Sequence, residues 1–134
     1  LCRRAIEPRR GFWTVPAGFM ENGEAVQDAA AREAQEEALA DVEIGSLVSI
    51  INVIRTHQVH IVFRARLRNT NFGVGPESLE VALYDEADIP WDEIAFMSVE
   101  FALRRYLDDR RARRELTHFC DIDWHDGRFV LRDR

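Results

Sequence analysis

Lysine is missing from this chain: all 18 of its basic residues are arginine. Schiff-base chemistry and any lysine-anchored phosphate loop are thereby excluded. Cysteine is scarce. Cys2 and Cys120 stand near opposite ends with no C-x-x-C pair to make a zinc or redox centre, and a reduced intracellular compartment is expected. No apolar run approaches the roughly 20 residues that cross a bilayer, and no signal peptide opens the chain, so a soluble, cytoplasmic protein is expected. Positive charge is also in deficit. A net charge of −6 argues against general nucleic-acid binding, although an acidic protein can still hold a polyanion locally through a metal. Serine or cysteine triad frames, internal repeats and low-complexity linkers are absent. What is present is enough for one core: 134 residues, 46% apolar and 10% aromatic, read as a single domain spanning 1–134.

The chain opens at Leu1, without methionine and inside a strand, so an upstream segment is expected to have been cut away. Residues Leu1 to Ile6 read as the end of a strand and Glu7 to Gly11 as a turn. Phe12 to Val15 form a short strand that Pro16-Ala17-Gly18 breaks. A polar loop through Glu21 to Glu24 leads into a helix from about Ala25 to Leu39, rich in alanine and other helix formers. Val42 to Ile54 and Gln58 to Leu67 read as two antiparallel strands, Asn69 to Pro76 as a loop and Ser78 to Tyr84 as a further strand. Ile89-Pro90-Trp91 closes that element. Ser98 to about Arg114 has helical spacing through Val99, Ala102, Leu103, Tyr106 and Leu107. From about residue 115 the tail is weakly patterned, with a candidate strand at Phe129 to Leu131. Strands and helices mixed in this way predict an α/β sandwich.

The informative segment is Gly18 to Ala40. Glu33, Glu36 and Glu37 stand at i, i+3 and i+4, so a helix puts all three carboxylates on one face. Three adjacent anions repel one another unless a hard divalent cation sits among them, and Mg²⁺ prefers carboxylate oxygen, retained water and substrate phosphate. Taken alone, such glutamates more often form a solvated helix face. The surrounding frame separates the two readings: Gly18, then Glu24 after five residues, Arg32-Glu33 after seven more, and Glu36-Glu37.

That frame resembles the Nudix box, G-x5-E-x7-R-E-U-x-E-E-x-G-U with U aliphatic, over residues 18–40. It departs in Leu39, where the family has glycine, and in Ala34 and Ala40 at aliphatic positions. Glycine there permits a left-handed backbone, so Leu39 leaves open how the helix ends. LCRRAIEPRRGFWTVPAGFMENGE is similar to the strand, turn and loop of Nudix enzymes near the ADP-ribose and dinucleotide pyrophosphatases, including a subgroup with an N-terminal zinc ribbon absent here. ESLEVALYDEADIPW resembles a later strand and loop, and the likeness runs from residue 1 to about 108.

The resemblance implies an α/β/α sandwich, a mixed β-sheet between helices, with its customary first strand missing. It implies Mg²⁺ or Mn²⁺ held by Glu33, Glu36, Glu37 and the backbone carbonyl of Ala17. Gly18, Glu24 and Arg32 would support the site, Glu24 and Arg32 by pairing. Glu33 is a candidate general base. Glu80 matches a position of a further acidic ligand or base, with Glu77 nearby, and reads equally well as an exposed strand glutamate. The implied activity is hydrolysis of the diphosphate in a nucleoside diphosphate linked to another moiety, ADP-ribose or a dinucleotide such as FAD or NADH being favoured. The NADH-type signature S-Q-P-W-P-F-P-x-S does not follow Ala40, and Arg55 and Thr56 stand where many ADP-ribose enzymes have proline. A catalytically silent nucleotide sensor is the alternative.

Other residues carry two readings each. Arg3, Arg4, Arg9 and Arg10 are candidates for holding phosphate or ribose, or are solvated turn residues. Phe12, Trp13 and Phe19 either stack a base or belong to the core, with Phe19 the favoured substrate contact. His57 and His60 lack a partner at metal spacing and read as neutral surface histidines. Trp91 and Phe96 suit either a homodimer contact or the core.

Overall fold

The computed structural model describes all 134 residues. Seven strands and two α-helices run in the order β1 (Cys2–Arg4), β2 (Trp13–Thr14), α1 (Val26–Ala38), β3 (Val42–Val53), β4 (Gln58–Leu67), β5 (Ser78–Val81), α2 (Met97–Arg111), β6 (His118–His125) and β7 (Arg128–Asp133). The strands form two sheets, one of order β2-β1-β5 and one of order β4-β3-β6-β7. By internal contacts the chain divides into two compact units, Leu1–Gly45 with Ala65–Ala95, and Ser46–Arg64 with Phe96–Arg134.

In the first unit β1 pairs antiparallel with both β2 and β5, in registers Cys2↔Thr14 and Arg3↔Glu80. Its core gathers Cys2, Ala38 and Ala40, with Val42, Leu67, Phe72 and Val81 packed against them. Trp13, 4% exposed, meets Tyr84 edge-to-face with ring centroids 5.3 Å apart, which settles it as a core residue. The small side chains on the inner face of α1, Ala29, Ala34 and Ala38, are all buried. Ala25 precedes the helix in extended geometry and Leu39 follows it in the left-handed region at φ 49°, so both expected end residues are caps.

Leu39 therefore adopts the conformation the family's glycine would provide. Its N–H reaches the Gln35 carbonyl at 3.0 Å, and the Ala40 N–H reaches Ala34 at 3.2 Å. The loop before β5 supplies further donors to the helix end: the Gly73 N–H bonds the Ala38 carbonyl at 2.8 Å, and the Gly75 N–H and Ser78 hydroxyl bond Glu37 O at 3.3 and 2.8 Å. Orphan carbonyls of a helix terminus need such partners. Gly75 is there for a steric reason, since a Cβ on it would stand 1.9 Å from the Glu36 carbonyl oxygen.

In the second unit β6 pairs parallel with β3, Ile51 opposite Cys120, and antiparallel with β7. Val48, Ile51, Phe101, Ala102, Cys120 and Ile122 form its core. The tail thus contains two strands: β7 includes the expected Phe129 to Leu131, and β6 was not anticipated. β6 is hard to see because Asp121 interrupts its apolar face; Asp121 is buried, and bonds from Asn52 Nδ2 and the Arg134 guanidinium satisfy its carboxylate. A signal was nevertheless present. Asp126-Gly127 joins β6 to β7 with φ of 49° and 79°, the two-residue turn that Asp-Gly favours. His60 is also corrected: it is half-buried, its ring nitrogens 3.1 Å from Ser98 Oγ and from Gln58 Oε1, and burial lowers its pKa.

Candidate active site

Helix α1 holds the three glutamates, and its geometry separates them into two kinds. The Glu33 side chain is 12% exposed, whereas that of Glu36 is 56% exposed and open to solvent. Glu33 and Glu37 face each other. Burial is the main cause that pushes the Glu37 carboxyl up to about 7; the Ala17 N–H, 3.1 Å from its Oε2, works the other way, and the charges of Glu33 and Glu77 add to the rise. Ala17 therefore meets the cluster through its N–H in this structure, where its carbonyl was the expected ligand.

Arg32 binds the frame together. Its Nε and Nη2 form a two-pronged bond to Glu24 at 2.8 and 3.0 Å, while Nη1 lies 2.9 Å from Glu33 and 3.2 Å from Glu36. Nη2 also holds the Phe19 carbonyl at 3.1 Å. Forked charge-assisted bonds of this type fix orientation as well as adding energy. The Arg32 guanidinium and the Glu21 N–H hold the Glu24 carboxyl below its ordinary range. One arginine thus ties the loop from Phe19 to Glu24 onto the face that carries the carboxylates.

Gly18 completes the arrangement by having no side chain. A Cβ at this position would stand 2.2 Å from Glu33 Oε1, so glycine lets the loop backbone lie against that carboxylate where it now stands and any larger residue would push the carboxylate aside. Sequence reasoning missed Gly73, Gly75 and Ser78 as supports of the helix end. Their Gly-x-Gly pattern had been visible only as loop punctuation.

The remaining candidates are scattered. Glu80, on β5, sits opposite Arg3 with an oxygen 3.7 Å from Arg3 Nη1, while Glu77 contributes to the field at Glu37. Arg4 Nε bonds the Pro8 carbonyl at 2.8 Å, and Arg9 Nε bonds the Ala95 carbonyl at 3.1 Å while its guanidinium lies 3.8 Å from the Phe12 ring centroid. Both arginines brace the Glu7 to Gly11 turn. Phe19 is 78% exposed beside the acidic face. No group of three or more acidic, imidazole or thiol side chains is preassembled for a metal ion: Glu33 and Glu37 are together, and Glu36 is turned to Arg32.

The NUDIX domain model matches residues 1–116, and the chain belongs to the Nudix family. A NUDIX hydrolase from Nitrosomonas europaea superposes with a TM-score of 0.90 at 46% identity, over 92% of this chain and 70% of that one. The α/β/α sandwich of that neighbour is therefore the fold here. An ADP-ribose pyrophosphatase of Methanocaldococcus jannaschii is 29% identical over 67% of this chain, and the human 8-oxo-dGDP phosphatase NUDT18 is 35% identical over the same share. The chain spans 56% and 29% of the lengths of those two relatives.

Proposed function

We propose that this chain, acting as one domain over residues 1–134, hydrolyses the diphosphate bond of a nucleoside diphosphate linked to another moiety, with Mg²⁺ or Mn²⁺ as cofactor. The observation that carries the proposal is the facing pair Glu33 and Glu37 inside the Gly18, Glu24, Arg32 frame. The donor set fits a hard divalent cation: two carboxylates meet, and the charge of one already raises the pKa of the other. When bound, such an ion supplies positive charge to the diphosphate oxygens and acidifies an attacking water. Glu33 and Glu37 would hold it, and Glu36 and the Ala17 carbonyl would be its further ligands. Glu33 is the proposed acceptor of the water proton, and Glu80 a further acidic contribution from β5. Arg32 and Glu24 orient the carboxylates without touching substrate. Phe19 offers an exposed ring on which a base can stack, and Arg4 and Arg9 are the proposed contacts for phosphate or ribose. Similarity to the Methanocaldococcus jannaschii ADP-ribose pyrophosphatase supports ADP-ribose as the favoured substrate, with FAD or NADH as the dinucleotide options.

The test combines calorimetry with Mn²⁺ and turnover of ADP-ribose, FAD and NADH. Glu37→Gln should reduce turnover by about 10²–10⁴-fold, the range for losing a positioned proton-handling or charge-bearing group, while folding is retained. Equal turnover by the variant would refute the assignment. Metal uptake without turnover of any diphosphate would favour a nucleotide sensor.

A further inference from the structure

A second concentration of charge lies within the Ser46–Arg64, Phe96–Arg134 unit, which contains none of the residues assigned to hydrolysis. A cavity of about 390 Å³ opens at the end of α2, lined by Arg64, Arg110, Arg113 and Arg114 together with Tyr106, Asp109 and Glu115. This volume is in the range of small-molecule sites. We propose that the cavity binds a small phosphorylated anion, held mainly by Arg110 and Arg113.

The floor of the cavity is rigid and electrically satisfied. Asp109 is 1% exposed and accepts bonds from Arg64 Nη2 at 2.6 Å, Arg114 Nε at 3.0 Å, His118 Nε2 at 2.8 Å and the Leu116 N–H at 3.3 Å. Burial alone would raise its pKa, yet the bonds from His118, Arg114 and Leu116 bring it down to about 2. Glu115 accepts the Ser46 hydroxyl at 2.7 Å. Both acidic groups of the cavity are thus engaged, and neither is bonded to Arg110 or Arg113.

Those two guanidiniums have no ion-pair or hydrogen-bond partner in the protein. Arg110 lies in the last turn of α2, where a cation also suits the helix dipole. Arg113 follows the C-cap at φ 52°, its N–H bonded to the Arg110 carbonyl at 3.2 Å, in a left-handed helix-ending position that glycine would occupy with less strain. With the outer nitrogens of Arg114, three donor forks border one cavity. A phosphomonoester presents three acceptor oxygens and close to two negative charges, which matches more of these donors than the two oxygens of a carboxylate. Tyr106 adds a ring against which an organic group can rest. The net charge of −6 disfavours a long polyanion but not a compact one.

The experiment is calorimetric titration of AMP and of inorganic phosphate into the whole chain in EDTA, which removes metal-dependent phosphate binding at the acidic helix face. Uptake is expected, with the dissociation constant rising at least tenfold in R110Q/R113Q and unchanged in Glu37→Gln. Tighter uptake of AMP than of phosphate would identify a phosphomonoester, and equal uptake would identify free phosphate; both support the site. No uptake, or equal uptake by R110Q/R113Q, overturns it. Both arginines are exposed, so folding should persist; should the double variant misfold, Arg113→Gln alone and the shift of the Tyr106 ring signals on adding AMP carry the same decision. Because Glu37→Gln retains this binding, failure here and failure of the hydrolase reading are separable.

Discussion

Glu37 sits where burial and a neighbouring anion both oppose its charge, and its pKa of about 7 has consequences for stability as well as chemistry. The unfolded chain loses this proton near pH 4.3, whereas the folded chain keeps it to about 7. The folded state therefore binds more protons between those values. Its contribution to stability is complete below the lower value and is lost as pH rises through the higher one. Melting curves in EDTA from pH 5 to 8 should show the wild type losing stability relative to Glu37→Gln across this window; parallel curves would remove the electrostatic account. Divalent-ion uptake should strengthen over the same interval, since binding must displace the proton. Gly18 allows a steric test beside it. Gly18→Ala puts a methyl 2.2 Å from a Glu33 oxygen, so the carboxylate must swing aside and Mn²⁺ affinity should fall at least about tenfold, the loss expected when a ligand is misoriented. Unchanged Mn²⁺ affinity would show that Glu33 is free to move.

Helix α1 is an element whose two ends are governed by different segments. Arg32 ties the preceding loop to its outer face, and Gly73, Gly75 and Ser78 satisfy its last carbonyls. Leu39, where the family has glycine, holds a left-handed backbone and keeps 44% of its surface exposed. A non-glycine residue there costs roughly 1 kcal/mol, and the buried part of its side chain returns a similar amount. Leu39→Gly should accordingly change unfolding free energy by less than about 1 kcal/mol in denaturant titration. A loss beyond about 2 kcal/mol would mean that the leucine packs more tightly on the Gly73 loop than this balance allows.

At the scale of the molecule, the end of the family match and the end of the fold do not coincide. The match stops at residue 116, two residues before β6 begins. Yet Cys120 and Ile122 are 0% and 3% exposed in the core that also contains Val48, Ile51 and Phe101. Truncation after Leu116 should abolish cooperative thermal unfolding, because it removes both β6 and β7 and uncovers β3. A truncated chain that melts cooperatively within a few degrees of the full one would contradict this. No helix is long and apolar enough to cross a membrane.

Local chemistry was readable without coordinates. The i, i+3, i+4 spacing of Glu33, Glu36 and Glu37 specified a shared helix face, because 3.6-residue periodicity acts whatever surrounds it, while the support from Gly18, Glu24 and Arg32 was legible only through the resemblance to the Nudix box. The strand boundaries at Val42 and Leu67 were visible for the similar reason that β-branched runs are a local signal. Tertiary structure alone decided what depends on distant partners. Asp121 can occupy a buried strand only because Asn52 and Arg134 meet it, and Glu37 is shifted toward neutrality because chain folding buries it and brings Glu77 near, against the opposing bond from the Ala17 N–H. Burial and charge pairing are sums over neighbours far apart in the chain, so no window of residues contains them.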